Sequence, residues 1–179
     1  MLHAVNGLFA FESALHVRHI SGNFTPSLAS LGLMEWNADD LWRNWYGARV
    51  DGLLFFAEDI FGCQFALKEP DGVFSFDPES AEIEFVAGTL EGWVQEILKG
   101  YPMLTGFPLA HSWQSINGRI PIGKRLLPKV PFVLGGEYSP ENLVAVGEVE
   151  AMRYRGDLWR QLCHLPDGAK VQLKPLPVH

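Results

Sequence analysis

Two adjacent carboxylates, Glu58 and Asp59, lie between two strongly apolar runs and have the clearest capacity for chemistry. Neighbouring acids can bind a metal ion or transfer a proton, and they can equally form the polar tip of a turn. Adjacent residues of a strand point to opposite faces, so a metal site would need further ligands from elsewhere in the chain. Gly62 follows closely and permits a turn or bulge. We therefore interpret the pair as part of a hairpin connection, in which Asp59 accepts hydrogen bonds from backbone amides.

His16 and His19 form a second candidate group. Their surroundings predict strand and loop, and a spacing of three does not place both side chains on one face of a strand. A metal-binding pair stays open here as an alternative. Cys63 and Cys163 show no paired-cysteine or Cys/His spacing, so they predict buried free thiols and no zinc site.

Motifs of catalysis and cofactor binding are absent from the sequence. No serine lies in a GxSxG elbow, and the glycines of 134–143 fit neither GxGxxG nor a phosphate-binding loop. A catalytic Cys/His dyad has no local signature here, and it stays open as an alternative because its two residues would meet only in the fold. We therefore predict a non-enzymatic protein without a cofactor or a metal.

Short apolar runs between turn residues predict a block of strands at 52–57, 61–67, 72–76 and 82–87, after two short strands within 8–17. In the last run of the block, Glu82 and Glu84 alternate with Ile83 and Phe85. This alternation predicts one solvated and one buried sheet face.

Helical patterns surround this block of strands. They cover 36–47, 89–100, about 109–116, and 148–164. Asn37 and Thr89 are placed to cap the first two helices, and Gly100 to end the second. The second helix carries an apolar stripe that we expect to pack on the sheet: Leu90, Trp93, Val94, Ile97 and Leu98.

The remaining segments predict a loop at 21–32, an extended crossing segment at 124–136, and strands at 142–147 and 170–173. Strands in a block with helices around them indicate an α+β fold, with a mainly antiparallel sheet and helices packed on one face.

Composition narrows the classes of partner. The 179 residues are 47% hydrophobic with a formal charge of −7, which predicts a folded acidic protein. Nucleic acid is disfavoured as a direct ligand because phosphate binding needs clustered Lys and Arg. A basic protein partner is favoured by opposite charge. No secretion signal or membrane-spanning run is present, so we expect a cytoplasmic protein.

Five segments in order resemble the SUKH superfamily, which includes the yeast cell-wall assembly regulator and many bacterial proteins. They are NGLFAFESALHV (6–17), WN…LWRNWY (36–46), FFAEDIFGCQFAL (55–67), FSFDPESAEIEF (74–85) and TLEGWVQEIL (89–98). We predict one SUKH-like domain over 1–179, with 6–100 as its core pattern and 101–179 as a C-terminal extension. Family members usually carry a helical segment before the Asn-Gly turn, whereas Asn6-Gly7 stands almost at the start of this chain.

The resemblance implies a protein-binding module, most closely an immunity protein that neutralises a bacterial polymorphic toxin by direct contact in the cytosol. Nuclease toxins are frequent partners in that group. The alternatives are a regulatory or scaffold protein of the cell-wall regulator type, and an unrecognised enzyme or small-ligand protein, which would need a concave pocket with convergent polar groups. The oligomeric state is left open.

Exposed acidic side chains are the natural contacts for a basic toxin. The turns and the strand alternation predict six such contacts: Glu58, Asp59, Asp77, Glu79, Glu82 and Glu84. A solvated sheet face that only keeps the protein soluble is the competing interpretation for each of them.

Overall fold

The computed structural model describes residues 6–20, 30–166 and 168–177. The strands in these ranges are β1 (Leu8–Ala10), β2 (Leu15–Val17), β3 (Leu54–Asp59), β4 (Gln64–Lys68), β5 (Gly72–Phe76), β6 (Ile83–Ala87), β7 (Lys124–Pro128) and β8 (Leu143–Gly147). The α-helices are α1 (Leu33–Trp36), α2 (Leu90–Leu104), α3 (Phe107–Asn117) and α4 (Glu148–Leu162). Most of the loop predicted at 21–32 lies outside the described residues.

Strands β1 to β6 form one six-stranded sheet in sequence order, and every neighbouring pair is antiparallel. Strands β7 and β8 form a separate antiparallel ladder. The predicted α+β fold with a mainly antiparallel sheet is confirmed.

The central strands bury aromatic side chains on both faces of the sheet. On one face, Phe56 and Phe65 contact Trp93 of α2, with ring centroids 4.9 and 5.5 Å apart. On the other face, Phe55 packs against Trp42 at 5.0 Å, and α4 contributes Met152 to the same cluster. Helices therefore flank both faces rather than one, because neighbouring aromatic residues of β3 present an apolar surface on each side.

Helix α2 buries only part of its apolar stripe. Thr89 caps it as predicted, since its Oγ1 accepts the N–H of Gly92 at 3.0 Å. The chain passes Gly100 with a kink and stays helical to Leu104 instead of ending there. Of the stripe, Trp93 and Ile97 are buried, whereas Leu90, Val94 and Leu98 are 43%, 44% and 66% exposed. The expectation that the whole stripe packs on the sheet is therefore wrong.

The predicted helix over 36–47 is also different in the structure. Helix α1 ends at Trp36, and 3-10 turns follow at Arg43–Trp45 and Gly47–Val50. Asn37 lies at the C-terminus of α1, where its amide donates to the carbonyl oxygens of Leu33 and Phe55 at 2.9 and 2.8 Å. Its side chain thus joins the helix to β3 instead of capping a new helix.

The C-terminal part agrees with the sequence in outline. The region predicted as extended at 124–136 contains β7, which pairs with β8. Helix α4 begins at Glu148, as expected. The strand predicted at 170–173 is wrong, because residues 168–177 contain no strand. Both cysteines are free, as predicted, but Cys63 is half-buried and Cys163 is exposed. Within the described ranges, no helix combines the length and apolarity needed to cross a membrane.

Candidate functional site

Asp59 ends β3 and organises the connection to β4. Its Oδ1 accepts the backbone N–H groups of Phe61 and Cys63, each at 2.8 Å. This confirms the predicted role of Asp59 in the turn. The side chain is nevertheless buried, and burial raises the pKa of Asp59 to about 7.

Glu58 points to the opposite face and is completely buried. Strand register places His16 of β2 on one side of it and Gln64 of β4 on the other. Gln64 donates to Glu58 Oε2 at 3.0 Å. The other oxygen, Oε1, accepts a hydrogen bond from Arg125 Nε of β7 at 2.8 Å and lies 3.0 Å from Arg18 Nη2.

Glu148, the first residue of α4, closes this buried charge cluster. Its two oxygens each accept a hydrogen bond from Arg18 at 3.4 Å. The guanidinium carbon of Arg18 lies 3.4 Å from the centre of the Trp36 ring, a cation–π contact. The buried charge cluster therefore combines one side chain each from β2, β3, β7 and α4 with one from the residue directly after β2: His16, Glu58, Arg125, Glu148 and Arg18.

Burial shifts the pKa values of the ionisable groups in this cluster. It raises the pKa of Glu148 above its ordinary value, and the neighbouring carboxylate of Glu58 adds to this shift. Burial alone would raise the pKa of Glu58, but Arg125, Arg18 and the hydrogen bond with His16 outweigh it and hold that pKa well below its ordinary value. Burial lowers the pKa of His16 to about 4, so its imidazole is neutral near pH 7. Two guanidinium groups thus face the carboxylates of Glu58 and Glu148.

The same residues bear on the metal alternative. Ligand atoms of His16, Glu58 and Glu148 lie within 4.8 Å of one another, whereas His19 is not part of this group. A cation there would compete with the guanidinium groups of Arg18 and Arg125, which already occupy Glu58 Oε1. The arrangement fits a buried ion-pair network better than a metal site.

Glu79, in the β5–β6 connection, is also buried. Its Oε1 lies 3.7 Å from Arg155 Nε of α4, and its Oε2 accepts the N–H of Val133 at 3.0 Å. Burial raises its pKa above the ordinary value. Asp77 is half-buried and accepts the N–H of Glu79 at 2.8 Å, which stabilises the turn.

These positions correct the prediction of six exposed acids. Glu58, Asp59 and Glu79 are buried, Asp77 is half-buried, and of the six only Glu82 and Glu84 are exposed. The sequence could not show this because the guanidinium groups that compensate the buried carboxylates come from residues far away along the chain. The one local signal that an acid could be buried was its position inside an otherwise apolar strand, as for Glu58.

Strand β6 carries the exposed part of the predicted set. We call Glu82, Ile83, Glu84 and Phe85 the β6 edge surface. Ile83 and Phe85 were expected to be buried, but they are 39% and 62% exposed because β6 is the last strand of the sheet. No described residue forms an ion pair or a hydrogen bond with the side-chain carboxylates of Glu82 and Glu84, whose positions are both exposed.

The backbone of the β6 edge surface is open as well. Asp77 N donates to Glu82 O, so the main chain of Glu82 faces β5. Because hydrogen bonding alternates along an antiparallel strand, the N–H and C=O groups of Ile83 and Phe85 point away from β5. Within the described ranges, no strand pairs with that side of β6.

Comparisons with known proteins give little further information. No protein-family model matches the chain, and no curated protein matches it at a significant level. The crystal structure of Atu4351 from Agrobacterium tumefaciens is similar with a TM-score of 0.48 and 11% sequence identity, over 81% of this chain and 67% of that one. A likeness of this degree carries no argument about function.

Proposed function

We propose that this chain is a non-enzymatic protein-binding module of the SUKH type, an immunity protein that neutralises a cognate bacterial toxin in the cytosol by direct contact. A nuclease is the toxin class we expect. The observation that carries the proposal is the β6 edge surface, where exposed apolar side chains alternate with carboxylates. No described residue pairs with these carboxylates or adds a strand to this edge.

The proposed partner follows from the chemistry of that surface. Free backbone groups at a sheet edge accept an added strand, and alternate side chains of that strand supply specificity. Phe85, packed edge-to-face against Phe74 at 5.6 Å, offers an aromatic contact of the kind enriched in binding hot spots. Glu82 and Glu84 favour basic side chains opposite them.

A nuclease satisfies this requirement because a surface that binds phosphates is rich in Lys and Arg. The formal charge of −7 would speed its association with such a protein. Most of the other predicted contacts are committed inside the protein: the carboxylate of Glu58 is held by guanidinium groups and that of Asp59 by backbone amides. These commitments favour a structural rather than a catalytic role for them.

The first experiment is coexpression with the toxin domain encoded beside this protein in its own genome. Rescue of growth is the expected result, and persistent toxicity with this protein present at a stoichiometric level would contradict the proposal. Affinity capture from the native cells distinguishes the immunity protein from the regulatory or scaffold type. Several substoichiometric housekeeping partners, rather than one toxin, would indicate the regulatory or scaffold type.

Charge reversal then tests the surface. Glu82→Lys with Glu84→Lys should weaken toxin binding about tenfold at low salt, because like charges would face the partner. The matched control is Glu91→Lys with Glu137→Lys, at exposed acids elsewhere. Each double variant changes the formal charge by the same amount. Equal losses of toxin affinity in both would show that only the net charge matters and that the β6 edge surface is not the binding site.

A further inference from the structure

A cleft lies at the opposite edge of the sheet from the β6 edge surface. The β1–β2 turn, α3 and residues 118–122 form its walls, and its volume is about 680 Å³. Clefts of a few hundred cubic ångströms are the usual size for small-molecule sites. We call it the β1–α3 cleft.

The walls of the β1–α3 cleft are held together by side chains of α3. Gln114 donates to the carbonyl oxygen of Glu12 at 3.1 Å, and its Oε1 accepts the N–H of Ile120 at 3.1 Å. His111 Nδ1 lies 2.9 Å from the Glu12 carboxylate. One helix thus fixes both the turn on one side of the cleft and the loop on the other.

The turn itself has an unusual backbone. Phe11, Glu12 and Ser13 have φ values of 51°, 54° and 70°, a left-handed conformation that residues other than glycine seldom adopt. Such backbone persists only where its surroundings impose it, and here the contacts from α3 do so. The cleft is therefore a preformed cavity.

The cleft offers both an apolar and a charged contact. Phe9, Ile120 and Ile122 line it with apolar surface. Phe9 is fixed from behind, because its ring stacks on His16 with centroids 4.2 Å apart. Arg119 also lines the cleft, and no described residue pairs with its guanidinium group. Glu12, in contrast, already has His111 as its partner.

We propose that the β1–α3 cleft binds a small amphipathic carboxylate, with the carboxylate on Arg119 and the apolar body against Phe9, Ile120 and Ile122. A planar guanidinium binds a carboxylate through two parallel hydrogen bonds. The carboxylate of Glu12 in the same wall disfavours a dianionic phosphate ester relative to a single negative charge. This site is independent of the proposed toxin surface.

The test uses three matched probes, phenylacetate, phenylacetamide and phenyl phosphate, in titrations followed by amide NMR of the full chain. Phenylacetate should shift the amides of the cleft saturably, with a Kd on the order of 1 mM, as expected of so small a ligand. Phenylacetamide should bind about tenfold more weakly, because it lacks the charge. Tighter binding of phenyl phosphate would overturn the assignment to carboxylates, and absence of saturable shifts would overturn the site.

Variants locate the binding. Arg119→Gln should weaken phenylacetate binding about tenfold and leave phenylacetamide unchanged. Lys170→Gln removes the same charge from an exposed position away from the cleft and is the control. Ser115→Trp should fill the cleft and abolish binding of both probes while the spectrum stays that of a folded protein. Equal effects of Arg119→Gln and Lys170→Gln, or unchanged binding in Ser115→Trp, would contradict the proposal.

Discussion

Glu58 and Asp59 are neighbours in sequence with opposite electrostatic environments. Strand geometry sends Glu58 toward Arg18 and Arg125, whereas Asp59 turns toward the amides of its own hairpin. The pKa of Glu58 is therefore held well below its ordinary value, and that of Asp59 is raised to about 7. The two residues should respond in different ways to substitution.

We expect Asp59→Asn to change how stability depends on pH. The folded-state pKa of Asp59 is about 7, above its unfolded value, so folding favours the protonated form. Its contribution to stability is complete below about pH 4 and is lost as the pH rises through about 7. Asparagine keeps the Oδ1 acceptor for the two amides and removes the titration. We therefore take the free energy of unfolding of the variant minus that of the wild type. This difference should be about 2 kcal/mol larger at pH 8 than at pH 5.

Urea unfolding at pH 5 and pH 8 measures this difference. The pKa of His16 is lowered to about 4, so His16 contributes the opposite slope, gaining stability as the pH rises toward about 6.5. That contribution is present in both proteins and cancels in the comparison. The same change in unfolding free energy for the wild type and Asp59→Asn would contradict the role of Asp59.

Glu58→Gln should destabilise the protein strongly. It leaves the guanidinium groups of Arg18 and Arg125 buried without their shared carboxylate, and removing one partner of a buried pair costs about 3–5 kcal/mol. Glu82→Gln makes the same chemical change on the exposed β6 edge surface and should cost less than about 0.5 kcal/mol. Chemical denaturation of both variants gives the comparison. A loss of similar size in the two would show that the buried charge cluster contributes little.

At the scale of elements, the sequence predicted the central strands β3 to β6 well because each has a local signature, whereas it gave β7 only as an extended segment and placed a strand at 170–173 that does not form. The runs at 52–57, 61–67, 72–76 and 82–87 correspond to β3 to β6. What failed was the assignment of faces. The period of two at Ile83 and Phe85 is real, but it indicates burial only if another element covers the strand, and β6 lies at the edge.

The candidate site was predictable only in part, because some of its contacts are local in sequence and others come from distant elements. The turn role of Asp59 depends on residues within four positions, so the sequence indicated it correctly. The partners of Glu58 and Glu79 lie on β7 and α4, and no local pattern identifies them. The left-handed β1–β2 turn has no glycine in its three positive-φ residues and gave no signal at all.

Gly156 gives a prediction at the level of helix packing. Glycine is a poor helix former, so by propensity alone alanine would strengthen α4 here, but a Cβ at this position would lie 2.6 Å from Trp45 Cβ. The absence of a side chain lets α4 approach the 3-10 turn closely. Gly156→Ala should therefore destabilise by about 1–3 kcal/mol through overpacking, although alanine is the better helix former.

Gly88→Ala is the control for that variant, because nothing lies within 4 Å of its added Cβ. It should change stability by less than about 0.5 kcal/mol. Thermal or urea unfolding of both variants measures the difference. A stabilised Gly156→Ala protein would mean that Trp45 can move aside and that the helix propensity of alanine dominates.

At the scale of the whole molecule, ion pairs join the two parts that the sequence distinguishes. Arg125 and Glu148, from the part after residue 100, pair with Glu58 and Arg18 in the buried charge cluster. Arg155 of α4 in turn faces Glu79 of the β5–β6 connection. The part over 6–100 therefore buries charges whose partners come from 101–179.

A fragment of residues 1–100 should consequently fail to fold. The fragment keeps the Arg18–Glu58 pair, but Glu58 loses Arg125, Arg18 loses Glu148 and Glu79 loses Arg155. The aromatic cluster around Phe55 also loses Met152 of α4. Together these losses exceed the free energy of unfolding of a typical domain, about 5–15 kcal/mol. The control is a fragment of residues 1–166. It lacks only the segment whose contacts include the ion pair of the exposed Lys174 with the half-buried Asp157, at 2.8 Å, and should stay folded. Amide NMR spectra distinguish a folded from an unfolded fragment. A well-dispersed spectrum from residues 1–100 would contradict the prediction, because it would show that this part folds without the ion pairs to residues 101–179.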